Sequence, residues 1–342
     1  MLMNTIKGIA MKLQRIVIPL LTFLMGITIG FAVSNRILDK ERESTFVQRR
    51  EGGYTYINPL LECDIAEKVL RNHEVVPFKS KIETYLNTRL DKRWASGVSV
   101  YFRELNDGLW FSIGDTEKFV PASLRKLPLM IALLKQAEKT PKDNLLDRKV
   151  QVELSQDYNA NQNIKPSQPL VLGQKYTVRE LIFRMIVYSD NNAFTFLTKV
   201  VDSTGLDEVY SKLRMQNPRA TQDDEFLSVQ TYASFFRILY NATFLNKEHS
   251  EWALDILSKS EFRAGLVSGV PSGINVAHKF GEKSDPNSGT VQLHDCGIVY
   301  YPKHPYLLCI MSKGPDFAFL DDVIREISDL TFREVDFQHR NH

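Results

Sequence analysis

Apolar and polar positions divide this chain into a few regions of different period. Ile16 to Val33 carries no charge and is long enough to cross a bilayer. Phe78 to Asp91 places Ile82, Tyr85, Leu86 and Leu90 on one face, which predicts an amphipathic helix. Gly97 to Glu104 and Gly108 to Ile113 alternate as two strands joined by the turn Asn106-Asp107-Gly108. A strong helix then runs from Leu127 to Lys135. Thr177-Val178-Arg179-Glu180 is a capping box that opens a helix over Leu181 to Val187. Helices are predicted over Ser228 to Tyr240, Ser250 to Ser258 and Asp316 to Leu330. Late strands are predicted at Val276 to Gly281, Ile298 to Tyr301 and Tyr306 to Met311. Helix, strands, a long helical insert, strands and a closing helix is an α+β order.

Lys7, Lys12 and Arg15 precede the apolar run, as a targeting segment requires. The expected organisation is a cytoplasmic tail over 1–15, a transmembrane signal anchor over 16–33, a membrane-proximal segment over 34–75 and a catalytic domain over 76–342. Ala32-Val33-Ser34 leaves cleavage open, which would release the domain. Arg36, Lys40 and Arg42 nearly balance the charge across the run, so charge alone does not orient it. Tyr54 to Leu61 is apolar enough to pack on the catalytic domain.

The chemistry begins where a polar loop turns into a helix, at Ser123-Leu124-Arg125-Lys126. A lysine three residues after a serine shares its helix face and brings an amine within reach of the hydroxyl. If burial lowers the lysine pKa, the amine can take the hydroxyl proton and leave a nucleophile. Ser-x-x-Lys alone is expected about once by chance in a chain of this size, and its plain reading is a helix cap with a surface lysine. Two further stretches add weight: Ser189-Asp190-Asn191 between two apolar segments, and Lys279-Phe280-Gly281 at a strand end.

In this order the three elements resemble the penicillin-recognising serine hydrolases, and Ser-Asp-Asn is most similar to the class A β-lactamase branch. The similarity runs from about Pro77 onward. It implies an antiparallel sheet flanked by terminal helices beside an all-helical lobe, with the site between the lobes. It also implies Ser123 as nucleophile, Lys126 as base and Ser189 as proton shuttle toward the leaving nitrogen. Asn191 would hold the substrate amide, and Lys279 would line the substrate site near Ser189. Gly281 would let the substrate backbone approach. The N–H groups of Ser123 and Glu282 would form the oxyanion hole. The implied partner is a β-lactam or a cell-wall peptide, and no cofactor is expected.

Two departures stand out. Phe280 occupies a place where the family usually has a hydroxyl residue, so a substrate carboxylate would lose a hydrogen bond worth about 1.5–3 kcal/mol. On that reading Phe280→Thr would improve acylation by penicillins, unless Phe280 packs between the lobes. No Glu-x-x-Leu-Asn follows Ser189-Asp190-Asn191 to supply a deacylation base; Asp223-Asp224-Glu225 is the nearest acidic stretch. A DD-peptidase-like enzyme and a slowly deacylating or non-catalytic binding protein are therefore alternatives.

Composition narrows the remaining classes. The 342 residues are 43% hydrophobic and 25% charged, enough for a large core. A net charge of +2 with scattered basic residues predicts no nucleic-acid partner. Of the 3 cysteines, Cys309 reads as a core strand residue, and Cys63 could pair with Cys296 if the domain is exported, although no spacing demands it. His278, His294 and Cys296 match no zinc spacing, so no metal is expected and core or surface roles are assigned.

Overall fold

The computed structural model describes residues 47–64, 78–89, 97–106, 108–213 and 224–340. The predicted tail and apolar segment of residues 1–33 lie outside these residues. Among the described residues no helix is long and apolar enough to cross a membrane. The chain divides into two compact units, Met1–Val47 with Cys63–Arg71, and Gln48–Glu62 with Asn72–His342. Nearly all described residues belong to the second.

In chain order the elements begin with β1 (Val47–Arg50), β2 (Leu60–Asp64), α1 (Lys79–Arg89), β3 (Gly97–Glu104) and β4 (Trp110–Ile113). A 3-10 turn at Ala122–Arg125 leads into α2 (Lys126–Lys139). Short strands β5 (Lys149–Gln151) and β6 (Lys175–Thr177) frame a long loop. There follow α3 (Val178–Val187), α4 (Asn191–Val200), α5 (Ser203–Lys212), α6 (Val229–Tyr240) and α7 (Lys247–Ser258). The chain closes with β7 (Val276–Asp285), β8 (Thr290–Val299), β9 (Tyr306–Gly314) and α8 (Phe317–His339).

Five strands form one antiparallel sheet in the order β4-β3-β9-β8-β7, which leaves β7 on an edge. The period of two divides the sheet between two cores. Val100, Phe102, Leu308 and Ile310 face Phe78, Ile82, Leu320 and Ile324 of the terminal helices. Tyr101, Leu307, Cys309 and Met311 face the helical side, whose centre is the fully buried run Leu127 to Leu134 of α2. Burial on both faces explains why β9 reads as an unbroken apolar run.

Side-chain caps set the helix starts. The Thr177 side chain accepts from Glu180 N, as the capping box predicts. Pro128 lies in the first turn of α2, where a missing N–H removes no intrahelical bond.

Several boundaries differ from the sequence reading. α7 starts at Lys247 because Asn246 caps it, accepting from His249 N. α8 continues nine residues past Leu330, to His339, where Val335 is still buried against the sheet. β7 does not stop at Gly281 but continues to Asp285, paired throughout with β8. β8 ends at Val299, ahead of Tyr301-Pro302-Lys303-His304, a turn in which Lys303 has φ +64.

The cysteine expectation is corrected. Cys296 is bonded to Cys309, not to Cys63. The two stand directly opposite on β8 and β9, with Cα atoms 3.9 Å apart. Strand register created this pair, and register is not visible in sequence spacing.

The segment from Arg50 to Leu60 is tied down by specific bonds. The Glu251 carboxylate accepts from the N–H groups of Thr55, Tyr56 and Ile57. Arg50 donates to the carbonyls of Asn58 and Leu105, and Tyr300 Oη donates to Tyr56 O.

Candidate active site

Ser123 sits in the 3-10 turn, and α2 begins at Lys126. In a 3-10 turn side chains three apart eclipse, so this geometry superposes the serine and the lysine. Lys126 Nζ lies 2.9 Å from Ser123 Oγ. The approach to Ser123 is fixed on all sides. Phe119 pairs with Leu227 through both backbone groups. Val120 N donates to Gln292 Oε1, and Val120 O accepts from His294 Nε2. Ser312 N donates to His294 Nδ1, so Nδ1 is the acceptor and Nε2 carries the proton. Burial holds this imidazole neutral, its pKa lowered to about 4. Tyr232 Oη donates to Leu124 O from below. Ala122, just before the serine, has φ +46, a conformation that costs a non-glycine residue about 1 kcal/mol or more.

Ser189 is the second such residue in the site, with φ +54, and it is fully buried. Asp190 caps α4 through Ala193 N, and its other oxygen accepts from Leu170 N. Thus Asp190 serves as a helix cap, while its neighbours face Lys126.

Lys126 is 1% exposed and has four acceptors around Nζ. These are Ser189 O at 2.6 Å, Asn191 Oδ1 at 2.7 Å, Ser123 Oγ at 2.9 Å and Ser189 Oγ at 3.0 Å. Burial lowers its pKa well below the ordinary lysine value, and the nearby Lys279 charge lowers it further. A neutral amine has two N–H donors and one lone pair. The two nearest partners, a carbonyl and an amide oxygen, can only accept, so they take both donors. The lone pair is left for the Ser123 hydroxyl, in the sense a general base requires.

Lys279 comes from edge strand β7 and is fully buried. Its Nζ donates to Ser189 Oγ at 3.1 Å and to Phe280 O at 2.9 Å. Burial lowers its pKa to about 7. The Asp295 and Glu282 charges oppose that shift, and the Phe280 ring centroid lies 4.0 Å from Nζ. Ser189 Oγ therefore bridges two lysine amines.

Gly281 is the close-approach residue, but the near surface is the protein's own. A Cβ built there would lie 3.0 Å from Leu124 Cγ and 3.1 Å from Pro121 O. Glycine lets β7 lie directly against the turn that carries Ser123, bringing the Glu282 backbone alongside. The Glu282 side chain faces the long β5–β6 loop, where one carboxylate oxygen accepts from Asn163 N and Ile164 N. Asn191 Nδ2 donates to Tyr158 O at 3.3 Å, so one amide N–H remains for a substrate.

All seven expected residues thus converge. Sequence reasoning missed the loop that joins them. Asn159 Oδ1 accepts from Asn191 N, Gln162 Nε2 donates to Ser189 O, and Asn163 Nδ2 donates to Ser284 Oγ. The run Tyr158-Asn159-Ala160-Asn161-Gln162-Asn163 was the available signal: its amides can both donate and accept across a cleft. Of the acidic stretch, Asp223 is outside the described residues. Glu225 accepts from Gln292 and Lys313, which ties it to the sheet.

Phe280 needs a different account from the one its place in the motif suggested. The Phe280 Cβ leaves the strand on the side opposite Lys279 and Gly281, but the ring still borders the site, its centroid 4.0 Å from Lys279 Nζ. There it is 3% exposed and stacked on Phe262, ring centroids 4.3 Å apart. Phe280→Thr should therefore open a cavity and cost about 2–4 kcal/mol. It should not improve penicillin acylation. Urea unfolding beside an acylation assay checks both; a folded variant acylated tenfold faster would reject this packing role.

A serine at the start of a buried helix, a lysine amine upon it and a second hydroxyl between two lysines define a serine hydrolase of the penicillin-recognising type. The chain belongs to the β-lactamase enzyme family, whose model matches residues 78–335. Solved structures agree on the fold. The TLA-3 extended-spectrum β-lactamase is 21% identical, with TM-score 0.65 over 75% of this chain and 98% of that one. A class A β-lactamase from Bacteroides cellulosilyticus is 19% identical, with TM-score 0.64 over 75% and 98%. An acyl-enzyme complex of a PBP-A mutant with penicillin G is 20% identical, with TM-score 0.62 over 75% and 95%. No curated protein matches the sequence significantly.

Proposed function

We propose that this protein cleaves the amide of a β-lactam or a related cell-wall peptide through an acyl-enzyme on Ser123. The observation that carries the reading is the 2.9 Å contact between Lys126 Nζ and Ser123 Oγ, at an amine whose pKa is lowered by burial and by the Lys279 charge. Lys126 takes the hydroxyl proton as Ser123 Oγ bonds to the carbonyl carbon. The developing oxyanion is held by the N–H groups of Ser123 and Glu282. Ser189 then passes a proton to the leaving nitrogen as the C–N bond breaks, and Lys279 supports it with positive charge. Lys279 and the remaining N–H of Asn191 receive the substrate's carboxylate and amide.

Deacylation is the slow step of this proposal. Among the described residues, the hydrogen bonds of Lys126 go to two serines and an asparagine, and none goes to a carboxylate. A carboxylate beside the base would be the natural activator of the hydrolytic water. This favours a long-lived acyl-enzyme, as in a DD-peptidase-like or penicillin-binding role, over fast β-lactam turnover. The uncharged run Ile16 to Val33 behind Lys7, Lys12 and Arg15 supports a membrane anchor with the catalytic domain outside the cytoplasm.

Labelling with a fluorescent penicillin, followed over hours after removing free label, tests the reading. The expected result is a stoichiometric adduct that persists. Loss within minutes would make the protein an efficient β-lactamase. No adduct with any β-lactam or activated ester would reject acyl-enzyme chemistry.

A further inference from the structure

Two sheet strands, β9 and β8, separate β7 from β3, and the last residue of β3 belongs to a second cluster of reactive side chains. Glu104 ends β3, His304 ends the turn before β9, and His339 ends α8. One potential ligand atom from each of the three lies within 4.8 Å of the others. Glu104 Oε1 is 3.1 Å from His304 Nδ1 and 3.3 Å from His339 Nε2. The two imidazoles are stacked, ring centroids 3.5 Å apart and planes 14° from parallel. The Glu104 carboxylate is nearly buried, and the histidines are partly open to solvent.

We propose that Glu104, His304 and His339 form a binding site for a divalent transition cation of the zinc type. Two imidazole nitrogens and one carboxylate oxygen are the donor set that borderline cations prefer over magnesium or calcium. Tetrahedral ligands bonded at about 2.0–2.1 Å stand about 3.3 Å from one another. Two of the three edges in this cluster already have that length. Tilting the stacked rings out of parallel would aim both nitrogen lone pairs and the carboxylate oxygen at one point. The fourth position would open to water on the exposed side of the histidines.

The local fold prepares this convergence. Lys303 has φ +64, His304 N donates to Tyr301 O, and Asn106 Nδ2 donates to Lys303 O, which together hold the turn that presents His304. The site joins the far end of the last helix to the sheet, so its consequence is stabilisation of the fold.

Titration calorimetry of the full chain in detergent with Zn2+, Mg2+ and Ca2+ tests the proposal. One equivalent of Zn2+ should bind with a micromolar or lower Kd and raise the melting temperature, while Mg2+ and Ca2+ should not bind. His304→Ala and His339→Ala should each weaken Zn2+ binding at least a hundredfold and abolish the thermal shift. Glu104→Gln preserves shape and an acceptor oxygen, so it keeps the test valid if a histidine variant misfolds, and it should weaken binding at least tenfold. Absence of Zn2+ binding by the wild type overturns the proposal. So does binding that survives unchanged in Glu104→Gln and in the folded histidine variants, which would place the ion on other histidines.

Discussion

Ser123→Ala should carry no covalent adduct after incubation with any penicillin or activated ester, a loss of at least about a thousandfold in acylation. In the proposed mechanism the hydroxyl oxygen bonds to the substrate carbonyl, and no other side chain can take its place within the 3-10 turn. The variant should still fold. Ser123 is only partly buried, while Leu124 and Leu127 beside it provide the packing and are unchanged. Tyr232 Oη still holds Leu124 O, and β8 still holds Val120. Intact-mass measurement and a urea unfolding curve give the two readouts. An adduct of acyl mass on the folded alanine variant would remove Ser123 from the chemistry.

Acylation should fall as pH drops through the lowered pKa of Lys126, and Lys279→Met should move that limb to higher pH. Burial is the main cause of the lowered value and the charge of Lys279 the second. Only the unprotonated amine can accept the serine proton. Rate therefore rises with pH through the folded-state pKa and levels off above it. Both amines contact Ser189 Oγ, at 3.0 and 3.1 Å, so the protonation of one disfavours that of the other. Removing the Lys279 charge makes Lys126 easier to protonate, which raises its pKa. The profile should be measured with a neutral activated ester, so that carboxylate binding by Lys279 does not enter. Lys126→Arg keeps the charge but cannot release a proton, and should lose about 10²–10⁴-fold at every pH. An unmoved acid limb in Lys279→Met, or fast acylation by Lys126→Arg, would show that Lys126 is not the base.

The three motif stretches were legible because each is local. Ser123 and Lys126 lie one helical turn apart, so their spacing already implies contact. Thr177 and Glu180 make their capping contact over the same range. The α+β order was legible too, because amphipathic helices and alternating strands differ in period. Helix ends were harder to place. α8 outruns its prediction because tertiary burial of Val335 maintains it, a contact with residues distant in sequence.

Phe280 shows the boundary most plainly. Its place between Lys279 and Gly281 suggested a carboxylate contact, yet the ring is buried between Phe262 and the Lys279 amine. Which face is which follows from how β7 pairs with β8, and the pairing is a non-local choice. The Cys296–Cys309 bond has the same origin. So does the meeting of Glu104, His304 and His339, which come from three elements spread over most of the domain.

By itself the sequence determined the element order, the helix caps and the residue types of the reactive centre, since these depend on neighbours within a few positions. Only the tertiary structure decided that Lys126 and Lys279 share one hydroxyl, that the loop from Tyr158 to Asn163 closes over them, and that Gly281 admits the nucleophile turn. Those outcomes depend on sheet register and on the packing of the Ala122–Arg125 turn against β7. Both are set by burying two hydrophobic faces at once, which no local stretch of chain can specify alone.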